Sequence, residues 1–328
     1  MSYANSFPET KQGRAKTGAE SLTLSVVVPV YNSSMSLPRL VKELHAALST
    51  CSSSFELILV NDASRDRSWH VIIELAREHA WVHGINLMRN VGQHNALLCG
   101  IRAAKHEVVA TIDDDLQNPP GEIPKLLAKL EEGFDVVYGT PEREQHGILR
   151  DLASIITKMV LQNAMGAEIA RDISAFRVFR TAVRQAFAEY HGPFVSIDVL
   201  LTWGTTRFAA TRVCHEPRRE GVSGYSLRKL IAHALNMMTG FSVLPLQLAS
   251  LIGFAFTAFG LLALAFVIGR YLIQGSAVPG FAFLASLIAI FSGAQLFALG
   301  IIGEYLARVH FRIMDRPPYT VRSVAPGD

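Results

Sequence analysis

The chain has 328 residues, half of them hydrophobic and 18% charged, with a formal net charge of +3. That length suits about two domains, and so small a basic excess argues against a nucleic-acid partner. Cys51, Cys99 and Cys214 are odd in number, far apart and without CxxC spacing, which excludes a zinc or disulfide framework from the expectation and fits a reducing compartment. Residues 1–21 are polar with no apolar h-region, so they are expected to be a disordered leader rather than a cleavable signal peptide.

From Ser21 to about Tyr138 the pattern alternates strand and helix. Leu24–Val30 is an apolar, β-branched run ending in Tyr31-Asn32. Ser36 is the expected N-cap of a helix through Ser49, with Pro38 in its first turn. Phe55–Val60 is the next strand, then a helix to about His79, a short strand near Ile85–Leu87 and a helix from about Gln93. Strand Val108–Ile112, a helix over about 121–132 and strand Phe134–Tyr138 complete the series. Runs apolar on both faces between helices predict an α/β, Rossmann-like, mostly parallel sheet, with ligands beyond the strands' carboxyl ends. Tyr31-Asn32, Asp62, Asn90 and the triplet Asp113-Asp114-Asp115 all fall at such ends. Neither a GxGxxG fingerprint nor a Walker loop is present.

The triplet sits in VATIDDDLQNPP, with Gln117 two residues on. Adjacent like charges are costly unless a cation takes up the repulsion. Clustered hard oxygen ligands at a strand end suit Mg²⁺ or Mn²⁺, which leaves room for substrate phosphates. The bland alternative is a solvated acidic turn before the next helix.

Downstream, Leu227, Ile231, Ala234, Leu235, Met238 and Phe241 recur at helical spacing, predicting a juxtamembrane amphipathic helix over 226–243. Residues 246–268 and 279–302 then contain no Asp, Glu, Lys or Arg. As helices they would be roughly 34–36 Å long, enough to cross a hydrocarbon core of about 30 Å. The chain therefore reads as a membrane protein with two transmembrane helices within 244–304 and a cytoplasmic tail over 305–328. Arg218, Arg219, Arg228 and Lys229 before the first span, and Arg308, Arg312 and Arg316 after the second, put both termini in the cytoplasm and the protein, multi-pass, in the inner membrane.

The ordered segments SVVVPVYN, VNDASRDRS, LMRNVGQHNALLCGI and IDDDLQNPP resemble the family-two glycosyltransferases of GT-A fold, over residues 22 to about 225. The likeness is greatest to the polyprenyl-phosphate branch: undecaprenyl-phosphate glucosyl and aminoarabinose-type transferases, and dolichyl-phosphate mannose synthase. It implies that Pro29, Tyr31, Asn32, Asp62, Asn90, Gln93, Asp113 and Asp114 bind a nucleotide-sugar. Gly92 belongs to the same RNxGQ loop. Asp113 and Asp115 match the DxD pair, and Asp115 with Gln117 the metal site for Mg²⁺ or Mn²⁺. Arg177, in SAFR, and Arg218, Arg219 and Ser223, in RREGVSGY, are the implied holders of an acceptor lipid phosphate. Ser33, Asn61, Ala175 and Gly224 depart from the branch's common Glu, Asp, Gly and Lys.

The implied reaction is an inverting transfer from a nucleotide-sugar, a UDP-sugar being favoured, to undecaprenyl phosphate. Asp198 is the remaining acidic candidate for a catalytic role, with a helix-capping acid as its bland alternative. Relatives of this kind are often homo-oligomers. Two other readings stand beside this one: a processive polysaccharide synthase, disfavoured because QxxRW is absent, and a non-catalytic nucleotide-sugar-binding membrane module.

Overall fold

The computed structural model describes residues 22–141, 172–192, 195–216, 244–274 and 280–326. The expected leader (1–21), the juxtamembrane helix (226–243), Arg218, Arg219 and Ser223 lie outside them.

One eight-stranded sheet organises the chain, in the order β7-β5-β6-β4-β1-β2-β3-β8. Its strands are β1 (Thr23–Val30), β2 (Ser54–Asn61), β3 (Val82–Leu87), β4 (Val108–Thr111), β5 (Val136–Pro141), β6 (Arg177–Arg180), β7 (Phe208–Val213) and β8 (Val321–Ala325). The pairs β1/β2, β1/β4, β2/β3 and β5/β7 are parallel, whereas β4/β6, β5/β6 and β3/β8 are antiparallel. The mostly parallel α/β sheet expected from the apolar runs is therefore present, with antiparallel strands at one edge and inserted between β4 and β5.

Alternation along β1 sorts the core. Leu24, Val26, Val28 and Val30 face the layer of α1 (Leu37–Cys51), α2 (Ser68–Glu78) and α4 (Ile123–Glu131). Val27 faces the opposite layer, built from α3 (Gln93–Ala103) and α5 (Ile197–Gly204). Helix α3 approaches the sheet closely at Gly100, where an added Cβ would lie 2.3 Å from Val27 Cγ1. Ser36 precedes α1 as expected but does not cap it: its hydroxyl donates back to the Ser33 carbonyl.

After the sheet domain come α6 (Leu244–Gln274) and α7 (Phe281–Ile313), 31 and 33 residues long. Both are long and apolar enough to cross a membrane. They pack on each other, with Phe256 and Phe291 meeting edge to face. Residues 305–328, expected as a tail, contain the end of α7 and then β8, which returns to the sheet beside β3. Such a short, half-polar segment carries no sequence signal for a strand.

Candidate active site

The loops following β1, β2, β3 and β4 meet at one rim, and three of them turn through backbone that side chains rarely adopt. Asn32, Ala63 and Leu116 have φ of 55°, 51° and 59°. Left-handed backbone at non-glycine residues persists where surrounding contacts over-determine it, and such positions gather at functional sites. Here the contacts are visible. Asn32 N–H donates to Ser64 Oγ (3.0 Å), and Arg65 N–H donates to Asn32 Oδ1 (2.8 Å), locking the first two loops together.

Asp62 ends β2, and both its oxygens are engaged: Oδ1 accepts from Val91 N–H (2.7 Å) and Oδ2 from Gly92 N–H (2.9 Å). Burial pushes this carboxyl above its ordinary range, and the two backbone donors only partly offset it. Asp62 thus shapes the RNxGQ loop from beneath. Gly92 answers to that demand with φ of 89°, open to glycine, and α3 begins at the next residue. Asn90 Nδ2 donates to the Asp62 carbonyl (3.3 Å). The departure at Asn61 is accounted for by a buried amide pair, Asn61 Nδ2 donating to Asn86 Oδ1 (2.8 Å).

Each acid of the triplet has a different partner. Asp113 Oδ1 accepts from Gln93 Nε2 (2.7 Å), Asp114 Oδ2 from Tyr31 N–H (3.2 Å), and Asp115 Oδ1 from Gln117 N–H (3.2 Å). Burial raises the Asp114 carboxyl; Ser33 and Tyr31 oppose that rise, and the neighbouring Asp115 charge adds to it. Fanning out in this way separates the like charges without requiring all three acids to share one ion. Among the described residues no three His, Cys, Asp or Glu side chains converge as a metal site. The oxygen donors of Asp115 and Gln117 on one turn nevertheless fit Mg²⁺ or Mn²⁺, which take one or two protein carboxylates and fill their remaining positions with phosphate and water.

The segment after β7 closes on this turn. Glu216 N–H donates to the Gln117 carbonyl (2.8 Å), His215 Nδ1 lies 3.2 Å from Asn118 Oδ1, and Cys214 N–H donates to Glu122 Oε2 (3.3 Å). No local pattern in the sequence announces these contacts between segments about a hundred residues apart.

Two expected site residues are buried and paired with each other. Arg177 is 1% exposed: its Nη1 pairs closely with Asp198 Oδ1, and its Nε donates to Thr111 Oγ1 (3.1 Å). Tyr138 OH also donates to Asp198 Oδ1 (3.1 Å), and burial, reinforced by the Asp198 charge, drives that phenol well above its ordinary range. Arg177 and Asp198 therefore form a buried tie between β4, β5, β6 and α5. The reason is physical: a guanidinium at the start of β6 points into the core, where only an anion compensates it.

Comparison with known proteins places this rim. The family described as Glycosyl transferase family 2 matches residues 25–187. An undecaprenyl-phosphate 4-deoxy-4-formamido-L-arabinose transferase of Shewanella sediminis is 36% identical over 308 residues, 93% of either chain. The chain belongs to glycosyl transferase family 2. A protein of the same description from Photorhabdus laumondii is 34% identical over 304 residues, 92% of this chain and 94% of its own. Glucosyl-3-phosphoglycerate synthase from Mycobacterium tuberculosis, solved with Mn²⁺ and UDP-glucose, superposes with a TM-score of 0.50 at 16% identity, covering 67% of this chain and 78% of its own. The family-2 fold is thus of GT-A type, and the chain is a glycosyltransferase.

Proposed function

We propose that this glycosyltransferase moves a sugar from a nucleotide-sugar, a UDP-sugar in the first instance, to a polyprenyl phosphate such as undecaprenyl phosphate at the membrane surface. The observation that carries this reading is the Glu216–Gln117 hydrogen bond. It ties the turn bearing Asp115 and Gln117 to a segment that reaches Arg218 and Arg219 two residues later and the first apolar helix soon after. A donor diphosphate beside Asp115 would then lie close to where the segment leading to Arg218 leaves the described fold. The relatives' printed names, which pair undecaprenyl phosphate with a modified arabinose, support the same acceptor class.

In the proposed step an oxygen of the lipid phosphate attacks the anomeric carbon. The bond from that carbon to the nucleoside diphosphate breaks, and the configuration inverts. The attacking phosphate has a second pKa of about 6, so at cytosolic pH it is largely dianionic and no side chain need remove a proton. That agrees with the commitment of Asp198 to Arg177. Mg²⁺ or Mn²⁺ held by Asp115 and Gln117 would neutralise charge growing on the leaving diphosphate. Gln93 restrains Asp113, and Tyr31 and Ser33 restrain Asp114, so the acidic turn keeps its shape as that charge develops. Arg218 and Arg219 would grip the acceptor phosphate through paired N–H groups.

The α6–α7 pair fits an anchor that holds the enzyme where its lipid acceptor resides. Membranes containing the protein, incubated with radiolabelled nucleotide-sugars and undecaprenyl phosphate, should yield one labelled, solvent-extractable lipid product bearing a single sugar. Label found only in a polymer, or in no lipid at all, overturns this reading.

A further inference from the structure

Strand β8 and the two residues before it have no part in the chemistry proposed for the rim, yet they hold the start of the loop that carries Asn90 and Gln93 and brace the helix that follows it. At the loop's start, Met88 N–H donates to the Thr320 carbonyl (2.9 Å), and Arg322 Nη2 donates to the Met88 carbonyl (3.2 Å). Just before it, β8 runs antiparallel to β3, with Gly84 opposite Ala325, Ile85 opposite Val324 and Asn86 opposite Ser323. At the far end the loop enters α3. Further along that helix, towards its C-terminal end, the Tyr319 hydroxyl bonds with Cys99 and Arg102, and the Arg102 guanidinium stands 5.9 Å over the Tyr319 ring.

Without β8, β3 would be the open edge of the sheet. The loop after it would keep its contacts to Asp62 and Asp113 and lose those on the β8 side. The same segment continues directly from α7, whose exit is pinned where His191 Nδ1 lies 3.2 Å from Asp315 Oδ1.

The geometry points to Tyr319–Ala325 as a positioning element for the donor site. It holds Met88–Gln93 in the shape that presents Asn90 and Gln93, and so makes donor affinity depend on the strand that follows the helical pair. This inference rests on the proposed reading of that loop as a wall of the nucleotide-sugar site.

Proline substitution in the full-length protein tests it. Alternate residues of an antiparallel strand direct their N–H at the neighbour. Leu57 N–H donates to the Trp81 carbonyl, which turns His83 and Ile85 towards β2 and Gly84 and Asn86 towards β8; the register shifts only beyond Asn86, so its opposite number Ser323 is the ladder residue while Val324 N–H points outward. Ser323→Pro should weaken UDP binding in the presence of Mn²⁺, and raise the donor KM, on the order of tenfold. The KM for undecaprenyl phosphate should hold within about twofold, since the acceptor segment lies on another loop. Val324→Pro should leave both constants unchanged, and Arg322→Ala should shift donor binding in the same direction as Ser323→Pro but less.

Hydrogen exchange should report faster exchange at Met88–Gln93 in Ser323→Pro with β1 and β2 still protected. Donor constants equal to wild type in Ser323→Pro, or equal losses for donor and lipid acceptor, would overturn the inference. Global loss of protection in Ser323→Pro together with wild-type UDP affinity in Arg322→Ala would also do so. Failure of the intact protein to bind UDP or GDP would instead remove the donor-site reading itself, and this inference with it.

Discussion

Asp198→Leu is the most discriminating single change in the domain. It leaves the Arg177 guanidinium, which does not give up its proton, 1% exposed and without its counter-ion. Removing one partner of a buried pair costs about 3–5 kcal/mol, and the Tyr138 hydroxyl loses its acceptor for about 1 kcal/mol more. For a domain of about 200 residues each kcal/mol lowers Tm by about 2–4 °C. Asp198→Leu should therefore melt about 8–24 °C below wild type by these figures.

Arg177→Met should cost a comparable amount, because it leaves the carboxylate alone. The double variant, which removes both charges, should recover most of the loss apart from the share of the Tyr138 hydroxyl. Asp198→Asn keeps an acceptor for Arg177 and Tyr138, and at temperatures where it is folded it should retain sugar transfer. Thermal unfolding of the purified protein, followed through tryptophan emission, reads all four. A single variant melting within about 2 °C of wild type, or a double variant showing the plain sum of the singles, refutes the buried-tie argument. Abolished turnover in a fully folded Asp198→Asn would restore Asp198 as a catalytic acid or base.

Other outcomes follow from the same structure. Burial pushes the Cys99 thiol up to about 12, with Tyr319 and Arg102 offsetting only part of the rise, while Cys214 is exposed; at pH 8 maleimide should label Cys214 promptly and Cys99 only on unfolding, as peptide mass mapping will show. Asp135 is held below its ordinary range: burial alone would raise it, but Arg207 and Thr205 outweigh that. A depressed carboxyl stabilises above its unfolded pKa, near 3.9, and the contribution drains away as pH falls through the folded value. Arg207→Ala should thus be less stable than wild type at pH 7, with the gap in urea midpoints narrowing below about pH 4; a pH-independent gap would contradict the assignment. Asp115→Ala, or chelation of wild type, should abolish transfer, and Gln117→Ala should raise the Mn²⁺ needed for half-maximal activity by about tenfold or more; undiminished turnover in EDTA would dismiss the metal. Arg218→Ala should raise the lipid acceptor's KM or lower kcat while UDP binding measured by calorimetry stays intact, and parallel loss of both would assign Arg218 to general structure.

What was legible in the sequence was whatever burial writes locally. β1, β2 and β4 are apolar on both faces because helices cover both, so their runs and the polar residues at their ends could be read directly. Hence the rim, with Asn32, Asp62, Asn90 and the acidic triplet, emerged from pattern alone. β6, β7 and β8 were not legible, since Arg177–Arg180, Phe208–Val213 and Val321–Ala325 mix charge with β-branching and gain their identity from partners distant in the chain.

The roles of individual acids and bases were harder still. Arg177 and Asp198 are 21 residues apart, and nothing in either neighbourhood says that the other side chain neutralises it. Asp62 reads in the sequence as an acid of the rim, with no sign of what it holds. Only the fold reveals that backbone donors take both its oxygens.

The pairing of β8 with β3 also constrains topology through parity. First and last strands share one sheet, so if α6 and α7 cross a bilayer the chain must return to the side from which it departed, and the number of crossings between them is even. In a chain anchored that way, insertion of a third hydrophobic helix, or deletion of α6 or α7, would strand β8 across the lipid from its partner, whatever the distribution of basic residues around the two helices.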